Sequence, residues 1–184
     1  VCFNILVINM KVNNVDNPVR GKMLSLMASA DAPKAHRPSN GIIIGFDMDG
    51  VILDNARLKI KIAKKFGFNI KLGHTPFDII RTILPSFVLE ELQNILHDDP
   101  VIALSTPLRK GTMNVFLELE NKKIPYFLIS RHKMPEMAIR ILSKHSLWPK
   151  YFNKVNAFFV DQAEDKNKKA VQLGLTHYID DELK

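Results

Sequence analysis

The run Ile42-Ile43-Ile44-Gly45-Phe46 is short, β-branched and continuously apolar. That pattern belongs to a strand covered on both faces, since a strand with one wet side alternates. Three further runs share the character, Tyr126 to Ile129, Ala157 to Val160 and His177 to Ile179, and all four end in polar residues. Between them, apolar positions recur at helical spacing. Leu58, Ile62 and Phe66 share a face closed by Gly67. Phe77, Ile80, Ile83 and Leu84 follow a Thr75-Pro76 start, and Val88, Leu89, Leu92, Ile95 and Leu96 follow Ser86 as a cap. Later, Thr112 to Glu120 turns Val115, Phe116 and Leu119 inward, and Pro135 to His145 turns Ala138, Ile141 and Leu142 inward. A last helix runs from Asn167 to Leu173 and is ended by Gly174.

Strand and helix in alternation imply a parallel sheet with helices on its faces, hence a three-layer, Rossmann-like α/β fold. The helices after the first strand have no strand among them. They predict a small helical cap over residues 55–105, inserted into a core of 41–54 and 106–184. Residues 1–40 mix Asn, Pro, Ser and Ala without periodicity and read as a disordered tail or linker. The chain stops at Lys184, soon after its last strand, which reads as a C-terminal truncation and would leave that strand as an exposed edge.

A length of 184 residues suits one domain with a small subdomain. With 46% apolar and 24% charged residues, and no stretch long enough to span a bilayer, the chain reads as soluble, without a membrane partner. Val1 to Met10 is apolar but lacks the basic leader and small-residue cleavage site of a secretory signal. The one cysteine, Cys2, cannot form an internal disulfide, so the expected location is cytoplasmic. A net charge of +7 is compatible with an anionic substrate or weak nucleic-acid contact, but by itself reads as a solvated basic surface. No basic stripe is interleaved with aromatics, so nucleic acid is not an expected partner.

In an open parallel sheet, ligands bind beyond the carboxyl ends of the strands. The acids fall there. Asp47 and Asp49 follow the first strand, Ser130 the second, and Asp180 and Asp181 the fourth, while Lys166 stands between the third strand and the next helix. Crowded carboxylates raise one another's pKa unless a cation sits among them, and an all-oxygen donor set favours Mg²⁺. A phosphate completes the balance, with Lys166 offsetting its charge and Ser130 donating to its oxygens. Each residue also has a plainer use. Asp caps helices and turns, Ser130 alone is a helix cap, and Lys166 shares its run with Lys168 and Lys169. The coincidence of all of them at strand ends favours a site, and Lys166 is preferred because it lies just before its helix. Arg131 and His132 stand open between substrate contact and covering the next helix. Arg57, Lys59, Lys61, Lys64 and Lys65, with His74 and Arg81, read as a solvated basic surface.

Asp47-Met48-Asp49-Gly50-Val51, Phe127-Leu128-Ile129-Ser130, Lys166 and Tyr178-Ile179-Asp180-Asp181 resemble, in order, the four motifs of the haloacid dehalogenase (HAD) superfamily, over residues 41–181. The resemblance implies a Mg²⁺-dependent phosphohydrolase with an aspartyl-phosphate intermediate. Asp47 would be the nucleophile and Asp49 the general acid and base. Ser130 and Lys166 would bind phosphoryl oxygens. Asp47, the Asp49 main-chain carbonyl and Asp180 would ligate the metal directly, and Asp181 directly or through water. A small cap implies a small phosphorylated metabolite or nucleotide as substrate. The alternatives are a phosphosugar mutase of the same superfamily, or a non-catalytic phosphate- or nucleic-acid-binding protein that kept the fold.

Overall fold

The computed structural model describes residues 6–9, 41–132 and 134–181. Four strands run parallel: β2 (Ile44–Phe46), β3 (Tyr126–Arg131), β4 (Ala157–Val160) and β5 (His177–Asp180). A fifth, β1 (Leu6–Asn9), pairs antiparallel with β5, giving the order β1-β5-β2-β3-β4. From β2 the chain moves outward through β3 to β4, then returns to lay β5 on the other flank of β2. The strand order therefore reverses between β2 and β5, and in open α/β sheets that switch point opens a crevice at the carboxyl ends.

The apolar runs are continuous because both sheet faces are covered. On one face Phe46, Tyr126 and Leu128 pack with Phe116 and Leu119 of α5 (Thr112–Asn121) and Ala138, Ile141 and Leu142 of α6 (Pro135–Lys144). On the other, Ile129 and Tyr178 pack with Ala170 of α7 (Ala163–Gln172) and with Leu175. Each fully buried aliphatic side chain of this kind, such as Leu128, contributes roughly 1.5–3 kcal/mol. The result is the three-layer, Rossmann-like α/β core expected from the sequence.

Residues 55–105 form α1 (Ala56–Lys65), α2 (Phe77–Ile83), α3 (Ser86–Asp98) and α4 (Pro100–Ser105). They hold a separate apolar cluster, including Ile62, Ile80, Val88, Leu92 and Leu96. Helix α4 was not anticipated. Its signal was the Asp99-Pro100 pair, in which Asp99 Oδ1 accepts from the backbone N–H of Val101 and Ile102 and proline occupies the first turn.

Several sequence expectations are corrected. Part of the supposed tail, Leu6–Asn9, is a strand, and β1 rather than solvent lies against β5. The rest of the expected tail and the last three residues lie outside the described residues. Strand β2 begins at Ile44, not Ile42, because the Ile43 N–H donates to Thr176 Oγ1 outside the ladder. Neither Thr75 nor Ser86 caps its helix; Pro76 and Pro85 occupy those positions, and the Thr75 hydroxyl donates to the Leu72 carbonyl instead. Val115 and Ile83 face outward, since the buried arc of α5 runs through Thr112, Phe116 and Leu119 and that of α2 through Ile80. Helix α7 starts at Ala163 rather than Asn167, with Glu164 and Asp165 in its first turn favouring the positive end of the helix dipole.

Candidate active site

The β2 ladder ends as the Asp47 N–H donates to the Ile179 carbonyl of β5 at 2.9 Å. The backbone then folds into a tight turn in which the N–H groups of Ile52 and Leu53 donate to the Met48 carbonyl at 3.0 and 2.9 Å. Asp47 and Asp49 thereby project from the carboxyl end of the central strand. A cleft between the sheet edge and helices α1 to α3 is lined by Asp47, Asp49, Ser130, Lys166 and Asp181, together with Asn55, Lys59, Arg131 and His97. Asp180 lies behind them, buried. All six residues singled out from the sequence thus stand at or beside one crevice.

Lys166 reaches the crevice from within α7 rather than from before it. Its buried Nζ lies 2.8 Å from Asp47 Oδ2 and 3.4 Å from Asp180 Oδ2. Its neighbours are engaged elsewhere: Lys168 pairs with Asp165 on the surface, and Lys169 lies over the Phe158 ring. Ser130, inside β3, is 1% exposed.

Asp47, Asp180 and Asp181 offer carboxylate oxygens within 4.8 Å of one another. Asp47 Oδ1 is buried and has no hydrogen-bond partner among the described residues. An acceptor stranded inside an all-oxygen acidic cluster fits a hard divalent cation such as Mg²⁺. Gly50 makes the cluster possible. Its φ of +75° is a left-handed conformation, and a Cβ there would stand 2.1 Å from Asp181 Oδ2. Gly50→Ala is expected to push Asp181 away, weakening Mg²⁺ binding by at least about tenfold at a stability cost of about 1–2 kcal/mol. Titration calorimetry with Mg²⁺ checks this; unchanged affinity would remove Asp181 from the cation site.

Around Asp49 a second group gathers, which sequence reasoning mostly missed. Asn55 Nδ2 donates to Asp49 Oδ1 at 3.2 Å, and the Nε2 atoms of His97 and His132 lie 3.8 and 3.7 Å from Asp49 Oδ2. His132 is buried, with its Nε2 turned toward Asp49. Lys59, read as part of a wet basic face, is buried, with Nζ donating to the Thr75 carbonyl at 3.0 Å. No spacing in the sequence signals His97, since a lone histidine near the end of a helix is commonplace.

Burial pushes the Asp47 carboxyl up to about 7, against the pull of the Lys166 ammonium. Burial works in the same direction on Asp49, but His97, His132, Lys59 and Lys166 outweigh it and hold that carboxyl below its ordinary value. Burial also depresses His132 to about 4, so its imidazole is neutral near pH 7.

In the metal-free protein the Asp47 and His132 shifts act on stability with opposite signs. Folded Asp47 holds its proton from the ordinary 3.8 up to about 7, so its contribution declines as pH rises through that window. His132 binds its proton less readily folded than unfolded, so its contribution is present above the ordinary 6.5 and declines as pH falls toward about 4. Each effect is a few kcal/mol, at about 1.4 kcal/mol per pKa unit. Denaturant unfolding in chelator between these limits should therefore separate two variants. Relative to wild type, Asp47→Asn gains stability as pH rises, and His132→Gln gains it as pH falls. Slopes of the same sign would refute the assignment.

No protein-family model matches the chain, and no curated protein does. Several solved structures are similar to it. A hydrolase from Streptococcus pneumoniae TIGR4 aligns over 74% of this chain and 79% of its own, at 17% identity and a TM-score of 0.44. A HAD hydrolase, family IA, variant 3, from Entamoeba histolytica HM-1:IMSS aligns over 73% and 71%, at 18% identity and a TM-score of 0.47. A HAD family hydrolase from Deinococcus radiodurans R1, with bound phosphate and sodium, aligns over 72% and 67%, at 15% identity and a TM-score of 0.43. Among the described residues no helix is long and apolar enough to cross a membrane.

Proposed function

We propose that this chain is a Mg²⁺-dependent phosphomonoesterase of the HAD type, acting on a small phosphorylated metabolite or nucleotide in the cytoplasm. One observation carries the reading: a nucleophile candidate, an acid–base candidate, two phosphate-binding groups and an acidic cation cradle share one cleft at the sheet's switch point. A binding module needs a cation and donors, but not two carboxylates two residues apart with different surroundings.

Asp47, Asp180 and Asp181, with the Asp49 main-chain carbonyl, would hold the Mg²⁺. When bound, the ion offsets charge on the phosphoryl oxygens and keeps Asp47 ionised. Lys166 and the Ser130 hydroxyl orient those oxygens beside Asp47. The Asp47 carboxylate attacks phosphorus, a P–O bond to Asp47 forms, and the P–O bond to the leaving oxygen breaks. Asp49 delivers a proton to that oxygen. It then removes one from water, whose oxygen attacks phosphorus and frees Asp47 with release of inorganic phosphate. Asp49 is held ionised in the free protein. Its acid role therefore depends on the arriving phosphoryl dianion, which raises its pKa. Helices α1 to α3 act as the cap, and Lys59 and Arg131 on the cleft wall favour an anionic substrate.

The test is a panel of phosphorylated metabolites assayed for inorganic phosphate release with Mg²⁺ and with chelator. Mg²⁺-dependent turnover of at least one member is expected. Transfer of phosphate between sugar hydroxyls without net release would indicate the mutase chemistry instead. Inactivity across the panel, with salt-sensitive binding of DNA or RNA, would refute the enzyme reading.

A further inference from the structure

The group around Asp49 has a chemistry distinct from the oxygen cradle beside it. Asp49, His97 and His132 each offer a ligand atom, and those atoms lie within 4.8 Å of one another. Both histidines direct Nε2 at the same atom, Asp49 Oδ2, from 3.8 and 3.7 Å, too far for a hydrogen bond. Their rings are 4.7 Å apart between centroids. His132 Nε2 is buried with no hydrogen-bond partner among the described residues. A buried nitrogen without a partner is costly, and here it points into a convergent donor set. Around a tetrahedral Zn²⁺, with bonds of about 2.0–2.2 Å, such donors stand about 3.3 Å apart, so closing onto an ion needs movements of roughly an ångström. Asp49 and His97 side chains are 26% and 27% exposed, which leaves an entry path from the cleft.

We infer that Asp49, His97 and His132 form a second metal site, selective for a nitrogen-seeking divalent ion of the Zn²⁺ type, in which helix α3 and the sheet edge are tied together. Two imidazoles and one carboxylate bind Zn²⁺ or Co²⁺ in preference to Mg²⁺, and leave a fourth position for water or a phosphate oxygen. His97 comes from α3, whereas Asp49 and His132 follow β2 and β3, so the bound ion holds the helix against the core. It also takes the Asp49 carboxylate out of proton transfer. This second consequence rests on the function proposed above: Zn²⁺ inhibits the Mg²⁺-loaded enzyme.

The experiment titrates CoCl₂ into the Mg²⁺-saturated protein and follows visible absorption, which is intense for four-coordinate Co²⁺ and weak for six oxygen ligands. One equivalent of Co²⁺ should produce the intense band, ZnCl₂ should abolish it, and His97→Ala and His132→Ala should each weaken Co²⁺ binding by at least tenfold. His132 is buried, so its variant also risks the fold; His97→Ala, in the cleft wall, then decides alone. A weak, six-coordinate spectrum, or unchanged affinity in His97→Ala, overturns the site. In the phosphate-release assay, Zn²⁺ should slow wild type at least tenfold, and His97→Ala should need at least tenfold more Zn²⁺ for the same fractional inhibition. A cobalt band without inhibition overturns the catalytic lock. Absence of any hydrolysis, with the band intact, counts against the proposed function and leaves the site standing.

Discussion

Asp47→Asn is expected to lower Mg²⁺-dependent hydrolysis of an aryl phosphate by at least about four orders of magnitude while the protein stays folded. An amide does not attack phosphorus, and it removes an anionic donor from the cation cradle, so nucleophile and metal affinity fail together. The fold survives for a reason visible in the crevice. Removing one member of a buried ion pair usually costs about 3–5 kcal/mol, because it strands the other charge. Lys166, however, also lies 3.4 Å from Asp180 Oδ2 and keeps a carboxylate partner. The ionised Asp47 is itself disfavoured by burial, which offsets part of the loss. Steady-state kinetics with circular dichroism check the prediction. Undiminished turnover in a folded variant would remove Asp47 as the attacking group.

Asp49→Asn should give a loss that depends on the leaving group. With an alkyl phosphate, whose leaving oxygen needs a proton, the rate falls by about 10²–10⁴. With an activated aryl phosphate the first step is nearly spared and the second fails, since no base activates water, so phosphoenzyme accumulates. The substitution is nearly isosteric, and the asparagine oxygen can still accept from Asn55 Nδ2, which holds Asp49 at 3.2 Å. Intact-mass measurement after rapid quench should show the added phosphoryl group. Equal losses for both leaving groups, with no phosphoenzyme, would contradict proton transfer by this side chain.

These predictions concern residues that are legible in the sequence itself. A strand buried on both faces has a continuous apolar run, and its end is marked where polarity returns. In a parallel sheet every such end lies on the same edge, so Asp47, Asp49, Ser130 and Asp180 could be assigned to one crevice from four runs and their order. Lys166 was legible less directly. Its helix starts four residues earlier than its neighbours suggested, and a lysine on the buried side of α7, not one preceding it, reaches Asp47.

What the sequence by itself determined is the α/β alternation, the helical insertion after β2 and the acids at the strand ends, because those follow from local periodicity and chain direction. The tertiary structure alone decided which side chains close the crevice from above. Helical spacing says that His97 and Lys59 lie on particular faces of α3 and α1, but not what those faces meet. That depends on how the insertion's own apolar cluster seats against the sheet edge, which brings His97 to Asp49 and buries Lys59 beneath Thr75. The pairing of Leu6–Asn9 with β5 was hidden for the same reason: a short apolar run says nothing of which edge it meets, and only the open edge of β5 selects it.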